Sequence, residues 1–254
     1  MKPELIIDTP ATLAQVFSDR FAALARKTIA KRGPFSCALP GGSVAETFFP
    51  VLAGASLAWD KIECFWGDER AVGADDPDSN YGLTKRLLLD TVHANPQRVH
   101  RIVGEGGDLE AAARAYEREM IRALGDPPRL DLVVLGLGPE GHVCSLFPGH
   151  PLLRERHRHV APITDSPKPP AWRITFTMLP LELARTICVA GFGDSKAAAI
   201  RAALEDPDSQ IPVAMAIRAA RHAIVLIDPP AASLLRKESA PPACGGFRRE
   251  SDLE

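Results

Sequence analysis

Apolar residues along the chain fall in short runs that stop at Gly, Pro or an acidic residue: Phe35 to Leu39, Ile62 to Trp66, Leu130 to Leu135, Thr186 to Ala190 and Ala223 to Ile227. Each is of strand length, and most lack strict alternation, the pattern of strands covered on both faces. The stretches between them have helical spacing. Residues 11 to 31 are rich in Ala and Leu, residues 43 to 53 start at a Ser cap, residues 80 to 90 follow Asn80, and residues 108 to 124 start at Asp108. A further helix begins near Asp194 and includes the run KAAAIRAAL. Strands alternating with helices predict mostly parallel pairing in an α/β fold, a three-layer α/β/α sandwich.

No internal repeat and no interdomain linker interrupts this pattern, so the 254 residues read as one domain with a frayed tail after about residue 236. The proline-rich stretch Ser166 to Pro170 reads either as a join between lobes or as a long active-site loop. Composition narrows the class. With 46% hydrophobic and 24% charged residues and a formal net charge of -2, the chain is a soluble globular protein without the concentrated basic face of a dedicated nucleic-acid binder. Cys37, Cys64, Cys144, Cys188 and Cys244 share no short spacing, which fits neither a disulfide framework nor a zinc knuckle and points to a reducing compartment. The N-terminus lacks an apolar core behind a basic start, and no run is long enough to cross a membrane. A mature cytoplasmic protein is expected, and a monomer, since no segment reads as an obligatory apolar interface.

The chemistry-bearing residues sit where strands end. In LPGGS, Leu39 to Ser43, two glycines let backbone amides approach a ligand and the following helix N-terminus favours an anion; a bare βα turn has the same signature. FWGDER places Asp68, Glu69 and Arg70 at the next strand mouth, where Arg70 can grip phosphate or carboxylate and Asp68 can orient a donor, or the two can simply pair. Ser79 and Asn80, ending DDPDSN, can line the same mouth. In LDLVVLGLGPEGH, Gly136, Gly138 and Gly141 have dinucleotide-fingerprint spacing, but Pro139 sits inside it and Pro148 and Pro151 fall where the required helix should continue. A catalytic or substrate-binding turn remains. It exposes His142, able to titrate near neutrality, with Glu140 two residues away. The other six histidines have no comparable setting, and no tight acid and histidine set suggests a catalytic metal. Arg173 enters a strand after the proline-rich loop that holds Lys168, and Lys196 occupies the first turn of a helix, where a cation opposes the dipole unless an anion is present. Convergence of these loops beyond the strand ends would give a glycine-lined pocket with one base and several anion grips. That implies a small phosphorylated substrate. There is no GxSxG elbow, and Cys144 stands beside Ser145 in an apolar setting, so activation of water is simpler than a covalent route.

PGGS at 40 to 43, WGDER at 66 to 70, DDPDSN at 75 to 80, GLGPEGHVCSLFPG at 136 to 149, DSPKPPAWRITFT at 165 to 177 and GFGDSK at 191 to 196, in this order, resemble the 6-phosphogluconolactonase family, within the group that includes glucosamine-6-phosphate deaminases. The resemblance implies a Rossmann-like, phosphosugar-isomerase-type sheet and hydrolysis of 6-phospho-D-glucono-1,5-lactone in the oxidative pentose phosphate pathway, with no metal, no nicotinamide and no other cofactor. His142 matches the family's general base, with Asp68 and Asn80 organising the pocket and Arg70, Arg173 and Lys196 holding phosphate. Gly41, Gly42, Ser43 and Gly138 are expected substrate contacts, and amides near Gly41 or Gly138 are the candidate oxyanion donors. The partner implied is a small phosphorylated sugar lactone, not a nucleic acid or a membrane. The chain departs from the family pattern at Glu140, where Asp is common, at Val143 in place of Thr, at Val44-Ala45 in place of Thr-Pro, and near Ile227 and Asp228, where a Trp is absent and only a structural role is expected. The deaminase branch looks like GHIAFNEP after the glycines, whereas this chain has GHVCSLFPG. A non-enzymatic sugar-phosphate sensor would need a partner surface or a DNA-binding module, and no helix-turn-helix is apparent.

Overall fold

All five apolar runs are strands, and they pair in parallel in one sheet. In the computed structural model, which describes residues 2–236, the strands are β1 (Glu4–Ile7), β2 (Phe35–Leu39), β3 (Ile62–Trp66), β4 (Asp68–Arg70), β5 (Leu132–Gly136), β6 (Val160–Ile163), β7 (Arg173–Phe176), β8 (Thr186–Gly191) and β9 (Ala223–Ile227). The tail expected to fray, with Cys244, lies outside the described residues. The main sheet has the order β1-β9-β8-β5-β2-β3. Every residue of β2, β3 and β8 is buried, as their unbroken apolar character requires of strands covered on both faces. β5 starts two residues later than its apolar run, just after Asp131, whose amide donates to the Ser36 carbonyl of β2 at 3.0 Å. Its carboxylate accepts from the Ser36 amide and pairs with Arg32 at 2.8 Å and Arg185 at 3.2 Å, so a nearly buried charge is compensated.

The helices are α1 (Pro10–Arg32), α2 (Gly42–Ala53), α3 (Asn80–Thr84), α4 (Leu109–Leu124), α5 (Met178–Leu183), α6 (Ala197–Glu205) and α7 (Pro212–Ala219). α1 shows its sequence logic plainly. Thr9 accepts from the Thr12 amide, Pro10 needs no donor in the first turn, Lys31 and Arg32 complement the negative C-terminal end of the dipole, and Gly33 ends the helix at φ 99°. Its buried face, with Phe17 and Phe21, meets α2 through Phe48, whose ring stacks on Phe17 at 4.5 Å. Truncating such a ring to Ala typically costs about 3–5 kcal/mol. α1 and α2 lie over β2, β5 and β9, whereas α7 meets β8 and carries α5 and α6. α3 runs on into a π-helical turn, Lys85–Leu89. None of the helices among the described residues is long and apolar enough to cross a membrane.

A second, antiparallel sheet, β4-β7-β6, was not apparent in the sequence beyond the strand entered by Arg173. It begins where β3 stops. The Tyr116 hydroxyl from α4 accepts from the Trp66 amide at 2.8 Å and donates to the Trp66 carbonyl at 3.1 Å, occupying the edge on which a further strand would pair. The chain then turns at Gly67, whose carbonyl accepts from the Phe176 amide at 2.7 Å, and Asp68 pairs opposite Thr175.

Candidate active site

β2 has β3 on one side and β5 on the other, so the chain leaves this point of the sheet in opposite directions. Such a switch point opens a crevice outside the strands' carboxyl ends. The loops after β2, β3, β5 and β8 surround a cavity of about 200 Å³ there. It is lined by all ten residues selected from the sequence: Gly41, Gly42, Ser43, Asp68, Arg70, Asn80, Gly138, His142, Arg173 and Lys196. Lys168 lines it too, which makes the proline-rich stretch a wall of this cavity.

The turn after β5 carries the imidazole. The Gly138 amide donates to the His142 carbonyl at 3.0 Å and the Gly141 amide to the Gly138 carbonyl at 2.9 Å. This folds the ring back over Gly138, where a Cβ would stand 1.9 Å from His142 Nδ1. Gly138 is therefore a seat for the imidazole. Its own amide is engaged by the His142 carbonyl. The ring also packs on Phe147, with centroids 4.9 Å apart. Nδ1 lies 3.1 Å from Glu140 Oε1, but off the line of a hydrogen bond, so the contact is electrostatic. Burial holds His142 below the ordinary imidazole range, against the pull of Glu140 toward the charged form. The Glu140 carboxylate also pairs with Lys168 Nζ, at 2.9 Å to Oε1 and 3.0 Å to Oε2. Burial would raise its pKa, but backbone hydrogen bonding, Lys168 and His142 together hold it below the usual carboxylate range.

The opposite wall is built on two carboxylates. Asp68 does not pair with Arg70; its Oδ2 accepts from Ser145 Oγ at 2.6 Å, and its carbonyl accepts from Asn80 Nδ2 at 2.9 Å. Ser145, which the sequence marked only as the neighbour of Cys144, belongs to this wall. Its hydroxyl, fully buried, joins Asp68 to Arg173, whose Nη1 donates to it at 3.3 Å. A buried hydroxyl must find a partner, and this one finds Asp68 from the other sheet. Arg173 further donates from Nε to the Pro170 carbonyl and from Nη2 to the carbonyls of Lys168 and Pro169, pinning the loop and keeping one Nη1 proton for the cavity. Desolvation lowers its pKa.

Glu69, which the sequence placed at the mouth without a role, is buried and holds the adjoining loop. Oε1 accepts from the amides of Arg70 and Asn80, and Oε2 from the Tyr81 amide and Ser79 Oγ. Asn80 then lies directly on Gly41, where a Cβ would stand 1.8 Å from its Oδ1. Arg70 donates from Nη1 to the Asp78 carbonyl, and its Nε is buried without a partner. Ser43 is not the cap of α2. Gly41 occupies that position and supplies no side-chain bond, so the amides of the first turn stay open to an anion. Lys196, half-buried on the short turn before α6, is lowered in pKa by desolvation. The loop that carries it is tied down by Asp228, which accepts from the Gly193 amide at 2.9 and 3.0 Å, the structural role expected of that residue.

The other histidines stay away from this cavity. His100, for example, is buried between Glu63 and Glu119, 2.7 Å from each, and stacks on Phe65.

Comparison with known proteins agrees on the family, and the solved structures that superpose include a monomeric glucosamine-6-phosphate deaminase, with a TM-score of 0.78 at 26% identity over 92% of this chain and 100% of that one. The family described as glucosamine-6-phosphate isomerases/6-phosphogluconolactonase matches residues 8–226. A 6-phosphogluconolactonase of Streptomyces coelicolor is 36% identical over 95% of this chain and 98% of its own length. One from Rattus norvegicus is 40% identical over 81% of each chain. Among solved structures, the 6-phosphogluconolactonase from Trypanosoma cruzi superposes with a TM-score of 0.82 at 27% identity, covering 92% of this chain and 97% of that one.

Proposed function

This chain belongs to the glucosamine-6-phosphate isomerase/6-phosphogluconolactonase family, and from that premise we propose that it hydrolyses 6-phospho-D-glucono-1,5-lactone to 6-phospho-D-gluconate in the oxidative pentose phosphate pathway. The observation that carries the reading is a single imidazole with a carboxylate beside one nitrogen, set in a cavity that also holds Arg70, Arg173 and Lys196. Glu140 favours the proton on Nδ1, which leaves the Nε2 lone pair of His142 as the base. A pKa lowered by burial keeps that lone pair available at neutral pH.

Nε2 takes a proton from water as the water oxygen attacks C1. The oxyanion that forms is met by the open amides near Gly41 and Gly42, with Ser43 beside them in the first turn of α2. When the bond from C1 to the ring oxygen breaks, the imidazolium returns its proton to that oxygen, and the new carboxylic acid ionises into solvent. Arg70, Arg173 and Lys196 bind the phosphate, while Asp68 and Asn80 hold the sugar hydroxyls in register. The segment from Val143 to Phe147 supplies no second acid beside His142, which favours water attack over the enolisation that a deaminase requires. Cys37 and Cys64 face each other across β2 and β3 and remain thiols, as do Cys144 and Cys188, which supports a reducing, cytoplasmic setting. Large apolar side chains are exposed only at Val103, Trp172 and Leu234 among the described residues, which supports a monomer.

The test is the initial rate of lactone loss, corrected for spontaneous hydrolysis and compared with unphosphorylated gluconolactone. Fast turnover of the phosphorylated lactone alone is expected, with His142→Ala reducing kcat by about 10²-fold or more. No acceleration by folded protein would overturn the reaction, and near-normal turnover by H142A would overturn the assignment of the base.

A further inference from the structure

We infer that Lys168 is a positioning residue that tunes the catalytic base from outside the turn that carries it, by sharing the Glu140 carboxylate with His142. The geometry is that of a three-part chain. Glu140 Oε1 is 3.1 Å from His142 Nδ1 and 2.9 Å from Lys168 Nζ, and Oε2 is 3.0 Å from the same ammonium. One carboxylate thus serves both the ring and the ammonium, and the ammonium, held to both oxygens, withdraws negative charge from the side facing the ring. The position of Lys168 is fixed from behind. Its carbonyl accepts from Arg173 Nη2 at 3.0 Å and from Ser166 Oγ at 2.9 Å, so the residue is part of the cavity wall although 40% of its side chain is exposed.

The sign of the effect follows from Coulomb's law. Glu140 stabilises the imidazolium; Lys168 opposes it, directly as a like charge and indirectly by engaging Glu140. The remaining groups around the ring are Asp68 from β4, which also favours the imidazolium, the apolar Phe147, and the cavity-lining cations Arg70, Arg173 and Lys196. Removing Lys168 leaves all of these in place. His142 must then be easier to protonate, and less of it is available as base below neutrality. Removing the Glu140 charge must do the reverse.

The inference rests on His142 being the base, and the experiment separates the two claims. The acid limb of the kcat profile, with spontaneous hydrolysis subtracted, is compared for the parent, Lys168→Met, Lys168→Arg and Glu140→Gln. Direct titration of the His142 ring by NMR in the free proteins supplies a readout independent of turnover. K168M should move the limb and the ring titration up by about half a pH unit, the scale of a part-exposed charge beyond direct contact, or about threefold in rate well below the limb. E140Q should move both down, and K168R should restore the parent values. Parent and K168M profiles that coincide, or K168M and E140Q displaced in the same direction, would overturn the inference even with H142A inactive. A change confined to KM in K168M, with the ring titration unmoved, would overturn it too and make Lys168 a substrate contact only. Full turnover by H142A would instead remove the reading on which it rests.

Discussion

His142 and Gly138 form a single functional unit, because the imidazole occupies the space a Cβ on residue 138 would take, 1.9 Å from Nδ1. Gly138→Ala should therefore displace the ring and leave the fold intact, since the obstructed group is a side chain. A displacement of about 1 Å at a base can cost about 10²-fold in rate. We expect that loss in kcat with a thermal midpoint close to the parent's; an active G138A protein would show that the ring has another productive seat. At this scale the sequence was informative for residues that stand at strand ends with an unusual neighbour, as His142 does among its glycines. It was uninformative for Ser145, flanked by Cys144, Leu146 and Phe147. A hydroxyl in apolar company has no local sign of its partner, and here the partner, Asp68, comes from a separate loop brought close only by the second sheet. The purpose of Gly138 was likewise hidden, because the motif it completes suggests backbone approach to a ligand and not room for a ring.

Among the elements, the loop before α3 depends on one buried carboxylate. Each Glu69 oxygen takes two donors: the amides of Arg70 and Asn80 on one, the Tyr81 amide and Ser79 Oγ on the other. In Glu69→Gln, whichever oxygen becomes an amide nitrogen turns two donors toward a third. Leaving buried donors unpaired costs about 1–3 kcal/mol, and the residues released, Arg70 and Asn80, line the cavity. We expect a lower denaturant midpoint, together with a KM raised several-fold relative to kcat. A Gln variant with the parent's midpoint and KM would mean that Ser79, whose Oγ also accepts from the Gly82 amide, holds α3 alone. A helix start was legible where its cap is local: Asp108, at which the sequence starts α4, accepts from the Ala111 amide. The cap of α2 was misjudged by two residues for the same reason. Ser43 is a good capping residue, but the chain starts the helix at Gly42 behind an uncapped Gly41, a choice that withholds a side-chain bond from amides facing the cavity.

On the scale of the whole molecule, the six-stranded sheet could be read because its strands are covered on both faces and carry unbroken apolar runs. The antiparallel sheet could not. Its strands, DER, VAPI and RITF, are too short for a period, and the pairing of the first with the last joins segments distant in the chain. The response of stability to pH is set by carboxylates paired locally at the surface together with a few buried groups. Glu119 is held below its ordinary range by Arg122, Glu105 by Arg101, Glu155 by the His157 amide down to about 2, and Glu140 despite its burial. Each contributes stability that is present above the unfolded value of 4.5 and lost as pH falls through the folded value. His142, lowered by burial, binds its proton more tightly when unfolded, so its contribution is present above 6.5 and also lost on acidification. Glu69 acts in the opposite sense. Burial raises its pKa, so the folded state holds that proton more tightly and recovers stability as pH falls. Between 6.5 and 4.5 His142 lowers the thermal midpoint on acidification and Glu69 opposes it; the steepest fall comes between 4.5 and about 2, where the four paired carboxylates take up protons. Calorimetric scans across that range check the signs: a midpoint that rose as pH fell from 6.5 to 4.5 would mean that the burial of Glu69 outweighs that of His142, and one that did not fall below 4.5 would mean that the paired carboxylates add no stability.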